Sequence, residues 1–185
     1  MSILNRIRSV IDLISSDLYR YTGKISLKSF LSTYFTTPGF NYSVWLRICA
    51  DFDSIPMKYL LLNKKLRFGI DLNPGMNLGR GFYIGHFGTI IVSPHAVIGD
   101  NCNISQGVTI GVAGKGESKG VPVIGDRVYI GPGAKVLGKI RVGNNVAIGA
   151  NAVIIKDVPD NAVVVGVPGK VVSMDGAGDY ILNVT

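Results

Sequence analysis

The sequence predicts a mainly β protein: a parallel β-helix wound from six-residue repeats, preceded by a small α-helical region. Three observations carry this. Aliphatic residues recur every six positions through the second part of the chain. Glycine accompanies that period and is rare before residue 66, where only Gly23 and Gly39 occur among the 24 in the chain. Before residue 66 the apolar residues fall instead at helical spacing. The expected organisation is a helical region over 1–66, the coil over 67–172 and a tail over 173–185.

Ile3, Ile7, Val10, Ile14 and Leu18 form a stripe at i, i+4, i+7, i+11 and i+15, which predicts a first amphipathic helix. Its charges are mixed in sign, so the stripe is expected to pack against a core rather than a membrane surface. A second helix is expected over Leu27 to Phe35, then a break at Pro38-Gly39, then a third from Tyr42 to Phe52. A fourth begins near Pro56 and runs towards Lys64, Lys65 and Arg67.

From Ile124, steps of six reach Ile130, Val136, Val142, Ile148 and Ile154. Glycine often follows, as at Gly125, Gly131, Gly143 and Gly149, and the fifth positions are apolar and often small. Upstream the period runs through Leu72, Leu78, Ile84 and Ile90, slips by two, and continues through Val92, Ile98, Ile104 and Ile110. A helix repeats every 3.6 residues and a half-buried strand every 2, so neither yields six. Three short strands joined by tight turns do, with each first-position aliphatic stacked on its equivalent one coil away. Glycine and asparagine are expected at corners with positive φ. Four to five coils result. The gap from Ile110 to Ile124 is an excursion, expected to be a mobile lid, and the tail with Gly176 and Gly178 is expected to be loosely held.

Composition narrows the function. The chain has 185 residues, 47% hydrophobic and 17% charged, which excludes a disordered chain. A formal charge of +7 favours a polyanionic partner, such as nucleic acid, an acidic membrane or a phosphorylated cofactor. Aromatic residues are not interleaved with the basic ones, so nucleic acid is not expected. Cys49 and Cys102 lack metal-ligand spacing and read as reduced thiols. No apolar run reaches a membrane span and no signal-peptide core precedes Arg6, Arg8 and Asp12, so a cytoplasmic location is expected.

The hexads, together with Gly85-His86-Phe87-Gly88-Thr89, Ser105-Gln106-Gly107-Val108-Thr109 and Gly166-Val167-Pro168-Gly169-Lys170, resemble the hexapeptide-repeat acyltransferases. Within these the chain is similar to serine acetyltransferases and surface-polysaccharide O-acetyltransferases over Phe68 to Val172. The resemblance implies a left-handed coil and an active site between subunits of a homotrimer. It implies acetyl-CoA as cosubstrate and no metal. His86 is the implied general base, and imidazole is suited to take a proton from an alcohol near neutral pH. Asp71, fifteen residues earlier, is the implied partner of its second nitrogen. His95 is the one rival base and is expected to be peripheral.

The pantetheine groove implied by the resemblance passes Gly111, Val112, Gly131, Pro132 and Ala150. Lys115, Lys135, Lys156 and Lys170 are candidates for the phosphates. The excursion's Gly114-Lys115 does not complete a nucleotide-binding loop, because Thr109 and Gly116 stand where that loop needs glycine and Ser or Thr.

The match breaks around the acceptor. Serine acetyltransferases carry Arg-His-Pro where this chain has Gly120-Val121-Pro122. Their acid before the catalytic histidine is replaced by Gly85, and a histidine is replaced by Asn73. The groups complementary to a zwitterion are missing from Asn73, Gly85 and Val121. The expected acceptor is therefore a hydroxyl on a sugar or surface-polysaccharide precursor, with L-serine as the alternative. A non-catalytic scaffold is a further alternative. A γ-class carbonic anhydrase needs three zinc-binding histidines and only two are present. A nucleotidyltransferase would need a longer first domain.

Overall fold

The computed structural model describes residues 2–52, 54–113 and 119–185. Four helices come first: α1 (Ile3–Thr22), α2 (Leu27–Thr36), α3 (Pro38–Asp51) and α4 (Ile55–Phe68). Ser2 and Ser26 cap α1 and α2 by accepting from Asn5 N and Ser29 N. Gly23 and Gly69, both left-handed, end α1 and α4. Pro38 does not leave a gap before the third helix as expected. It occupies the helix's first turn, where its missing N–H is no loss, so α3 starts four residues early.

Among the described residues fifteen short strands follow. One face stacks β1 (Ile70–Asp71), β4 (Ile90–Val92), β7 (Thr109–Gly111), β10 (Lys135–Leu137) and β13 (Val153–Ile154). The second stacks β2 (Asn77–Leu78), β5 (Val97–Ile98), β8 (Val123–Ile124) and β11 (Arg141–Val142), and a bridge from Val142 to Val158 extends it. The third stacks β3 (Tyr83–Ile84), β6 (Asn103–Ile104), β9 (Tyr129–Ile130), β12 (Ala147–Ile148) and β14 (Val163–Val165). All these pairs are parallel; only β15 (Lys170–Ser173) is antiparallel, on β14. Parallel neighbours within a face are three strands apart in sequence, as a three-sided coil requires, except β12 and β14, between which the Val158 bridge stands in for a strand.

The hexad aliphatics point inward. On the third face Ile84, Ile104, Ile130, Ile148 and Val164 lie in register and are all buried. Each such side chain contributes about 1.5–3 kcal/mol by leaving water. The two-residue slip has a simple cause. Ile90 and Val92 both face inward from β4, Ile90 opposite Ile70 and Val92 opposite Ile110, so one strand hands the register on.

The corners bear out the expectation in part: Asn101, Asn145 and Asn161 have positive φ, as do Gly81, Gly107 and Gly133, but the hexad-second glycines do not. A Cβ on Gly99 would collide with the Asp126 carboxylate of the next coil, and one on Gly125 would come within 2.6 Å of Asn144 Oδ1. Those oxygens are placed by a ladder in which Asp100 N donates to Asp126, Asp126 N to Asn144 and Asn144 N to Asp160. The glycine clears the path of a side chain; it does not bend the chain.

The helices close the open end of the first coil, whose strand edges would otherwise be unpaired. Tyr42 Oη donates to Leu72 O and accepts from Leu72 N, and Tyr21 Oη does the same at Ile84. Arg47 donates to Leu78 O and Gly79 O while pairing through two bonds with buried Asp17, which accepts from Phe82 N. Burial pushes the Asp17 carboxyl up against the pull of Arg47.

Two further expectations change. The α1 stripe packs only at Val10, Ile14 and Leu18; Ile3 and Ile7 are exposed, and the first turns touch the end of α3 through Arg6, which meets Asp51 and the Phe52 ring instead. The tail is held rather than loose. After β15 it runs back along the third face, burying Ala177 and Ile181 and stacking Tyr180 on Tyr129. Asn103 donates to Tyr180 O, Arg20 to Leu182 O and Asn101 to Thr185 O. Both cysteines are buried thiols and not joined in a disulfide, and burial raises the Cys102 thiol to about 12. Among the described residues no helix is long and apolar enough to cross a membrane.

Candidate active site

One edge of the prism, between the third face and the first, gathers five of the predicted site residues: Gly85, His86, Gly131, Pro132 and Ala150. Going up the coils it carries Gly85-His86, Gln106-Gly107, Pro132-Gly133 and Ala150-Asn151. Backbone bonds tie these rungs together: Gly107 N to Gly88 O, Gly133 N to Gln106 O and Asn151 N to Pro132 O, at 2.8–2.9 Å. Strand spacing of about 4.7–4.9 Å places Ala150 roughly 14 Å along the edge from His86. A thin, amide-bearing chain laid along this edge would have its end at the imidazole. Gly131 brings the backbone in close, since a Cβ there would lie 2.9 Å from Ala150 N.

His86 is exposed on its corner, and among the described residues its imidazole makes no hydrogen bond. His95 is exposed in a turn between the first and second faces, away from this edge. Asp71 lies on β1 opposite Ile91 and projects outward, with its carboxylate 2.5 Å from Lys65 Nζ. The structure brings Asp71 to a lysine of α4 and not into hydrogen-bond contact with His86.

The other predicted residues divide. Gly111 ends β7, and Val112 is exposed beside it. Lys135 is already engaged, donating to Gly107 O and Thr109 Oγ1. Lys156 and Lys170 meet in one cavity of about 420 Å3 at the end of the coil, lined also by Ile154, Pro168 and Gly169. Lys115 and the centre of the proposed lid lie outside the described residues. Asn73 is exposed, and its Oδ1 accepts from Gly75 N in a local turn. Val121 is half-buried at the end of the excursion. A Cβ on Gly85 would meet only ordinary contacts, 3.4 Å from the Tyr83 ring, so a side chain can leave the backbone there.

Comparison with known proteins now decides the family. The family model for bacterial transferase hexapeptide (six repeats) matches residues 122–156. A serine acetyltransferase of Synechococcus elongatus is 44% identical over 112 residues, covering 60% of this chain and 46% of that protein. A solved serine acetyltransferase in complex with cysteine is 34% identical with a TM-score of 0.73, covering 90% of this chain and 71% of that one. The chain belongs to the hexapeptide-repeat acetyltransferases and is serine acetyltransferase-like. A second solved member of this family, in complex with CoA, is 30% identical with a TM-score of 0.72, over 92% and 74% of the two chains. The chain spans about half the length of the Synechococcus relative and about two thirds of a Staphylococcus aureus serine acetyltransferase.

Sequence reasoning missed two residues at or near this edge. Lys65 carried a signal only as one of several helix cations; its pairing with Asp71 needs the α4 axis to run beside β1. Gln106 was legible as part of a motif but without a role. Its Oε1 is the one buried side-chain oxygen or nitrogen without a hydrogen-bond partner among the described residues. An orphaned acceptor costs about 1–3 kcal/mol, and this one sits one rung from His86 on the same edge.

Proposed function

We propose that this chain is an acetyl-CoA-dependent O-acetyltransferase with His86 as general base. The observation that supports the reading is the single edge on which an accessible imidazole, an orphaned amide oxygen and close-packed backbone follow one another. In the proposed reaction an acceptor hydroxyl gives its proton to His86 as its oxygen attacks the thioester carbon. The carbon–sulfur bond breaks, and the imidazolium returns the proton to the departing thiolate. Gln106 would accept from an amide N–H of the pantetheine arm, while Lys156 and Lys170 would meet the phosphates of the nucleotide end. Lys65 would hold Asp71 until substrate draws the carboxylate towards the imidazole.

The names of the relatives favour L-serine as acceptor over the sugar expected from the sequence, so serine leads this proposal. A saccharide hydroxyl is the second reading, favoured by the uncharged Gly85 beside the base. The family's left-handed coil, its trimer with the site between subunits, the division at residues 66 and 172, and a cytoplasmic setting belong to the same proposal.

The test is thiol release from acetyl-CoA with L-serine and with a panel of sugars. His86→Ala should lower kcat by about 10²–10⁴ with either acceptor. An unchanged rate, or no turnover of any hydroxyl, would return the scaffold reading. Gly85→Asp sharpens the acceptor question. It adds a carboxylate where a Cβ fits, and should raise kcat/KM for serine about tenfold without helping a neutral sugar, one charge-assisted bond being about 1.5–3 kcal/mol. Serine turnover that falls in Gly85→Asp would count against serine.

A further inference from the structure

The helical region carries a second built cavity that the reaction above does not use. It measures about 380 Å3 and lies between α2, α3 and α4, with Tyr34, Phe35, Asn41, Lys64, Arg67 and Phe68 in its wall. Lys64 Nζ stands 5.6–6.0 Å from the ring centres of Trp45, Tyr34 and Phe68 and donates to Asn41 Oδ1 at 2.6 Å. The Arg67 guanidinium lies 5.8 Å from the Phe68 ring centre. Two cations thus share one aromatic cavity, and among the described residues neither has a carboxylate partner. Desolvation, with Arg67 adding to it, holds the Lys64 ammonium below its ordinary pKa. Ring faces ease such a charge by about 0.5–1 kcal/mol each at an exposed site, but they do not neutralise it.

We propose that this cavity is a binding site for a small anion-bearing ligand, a carboxylate or a phosphate ester, held by Lys64 and Arg67 against the faces of Tyr34 and Phe68. Arg67 offers paired N–H donors and Lys64 a point charge, a combination suited to a planar carboxylate or a phosphate. The site borders the catalytic edge, because Phe68 packs edge-on against Phe87, the residue after His86, at 6.1 Å between ring centres. The proposal does not depend on which acceptor His86 serves.

Trp45 is the chain's one tryptophan and stands beside Lys64, so its fluorescence reports on the cavity without any turnover. The protein should be titrated with inorganic phosphate, D-glucuronate, glucose 1-phosphate and L-serine. A saturable change with phosphate or a carboxylate is expected. It should weaken at least tenfold in Lys64→Gln and in Arg67→Ala, and persist in Lys28→Met, an exposed control on α2. Tighter binding of the sugar anions than of phosphate would assign the ligand to saccharides, and tighter binding of L-serine would assign it to amino acids. No saturable change with any probe, or equal affinity in both variants, would overturn the site. His86→Ala should bind the probes like the parent, so failure here and failure of the acetyl-transfer reading remain separate results.

Discussion

The coil and the helical region solve the same problem, an unpaired polypeptide edge, by opposite means. Inside the coil each rung satisfies the next with a repeated unit: an inward aliphatic, a glycine that makes room, and an Asp or Asn that accepts from the backbone one coil away. At the open end there is no next rung. Its place is taken by side chains that each occur once: Tyr21, Tyr42, Asp17, Arg47 and Ser16. Repetition spreads stability over many equivalent bonds, whereas the cap concentrates it in a few. A terminal repeat that must be made from different chemistry is the general cost of a solenoid.

The largest expected effect is therefore at the cap. Arg47 is 5% exposed in its side chain and Asp17 is fully buried. Arg47→Met would leave a buried carboxylate with no cation and only the Phe82 N–H, and would strip two first-coil carbonyls of their guanidinium donor. We expect a loss of about 3–5 kcal/mol, read from urea unfolding. The double variant Asp17→Asn with Arg47→Met should recover part of it, because the stranded charge goes. A loss below about 1 kcal/mol would mean that the cap is held by its apolar contacts instead.

Next comes the coil interior. Ile130→Ala should cost about 2–5 kcal/mol through lost burial and a cavity. The comparison is sharpest if Ile104→Ala and Ile148→Ala are measured beside it. These positions are one rung down and one rung up in the same stack, and all are fully buried. Repeat logic predicts three similar losses. A wide spread would show that the coil is less uniform than its register.

This contrast also explains what could be read from the sequence. The hexads were legible because a repeated physical constraint leaves a repeated letter: Ile124, Ile130 and Val136 had to be aliphatic for one reason. His86 was legible through resemblance, since neither spacing nor composition singles out a corner histidine. The cap was not legible. Tyr42 and Arg47 look like ordinary helix residues until α3 is laid across the first coil, and that placement is a single tertiary event with no second copy to compare. The tail misled for a related reason. Gly176 and Gly178 suggest looseness, but the bonds that hold the tail come from Asn101, Asn103 and Arg20, far away in sequence.

The smallest predicted effect tests whether the coil obeys its own rule everywhere. At the corner after the second face the left-handed residue is Gly81, Asn101, Arg127, Asn145 and Asn161 on successive coils. Arg127 is the exception, a long side chain held at φ 55°. Asparagine visits this region at lower cost because its short amide bonds to nearby backbone, whereas most L-residues pay about 1–2 kcal/mol there. The backbone bond at the corner, Arg127 N to Asp100 O, does not depend on the side chain. Arg127→Asn should therefore stabilise the protein by about 0.5–1 kcal/mol and raise its thermal midpoint by a few degrees. Arg127→Gly should come out near zero, since relief of the strained φ is offset by the greater freedom of glycine in the unfolded chain. A clear loss in Arg127→Asn would mean that the guanidinium itself is engaged, and that this rung was kept different for a reason other than folding.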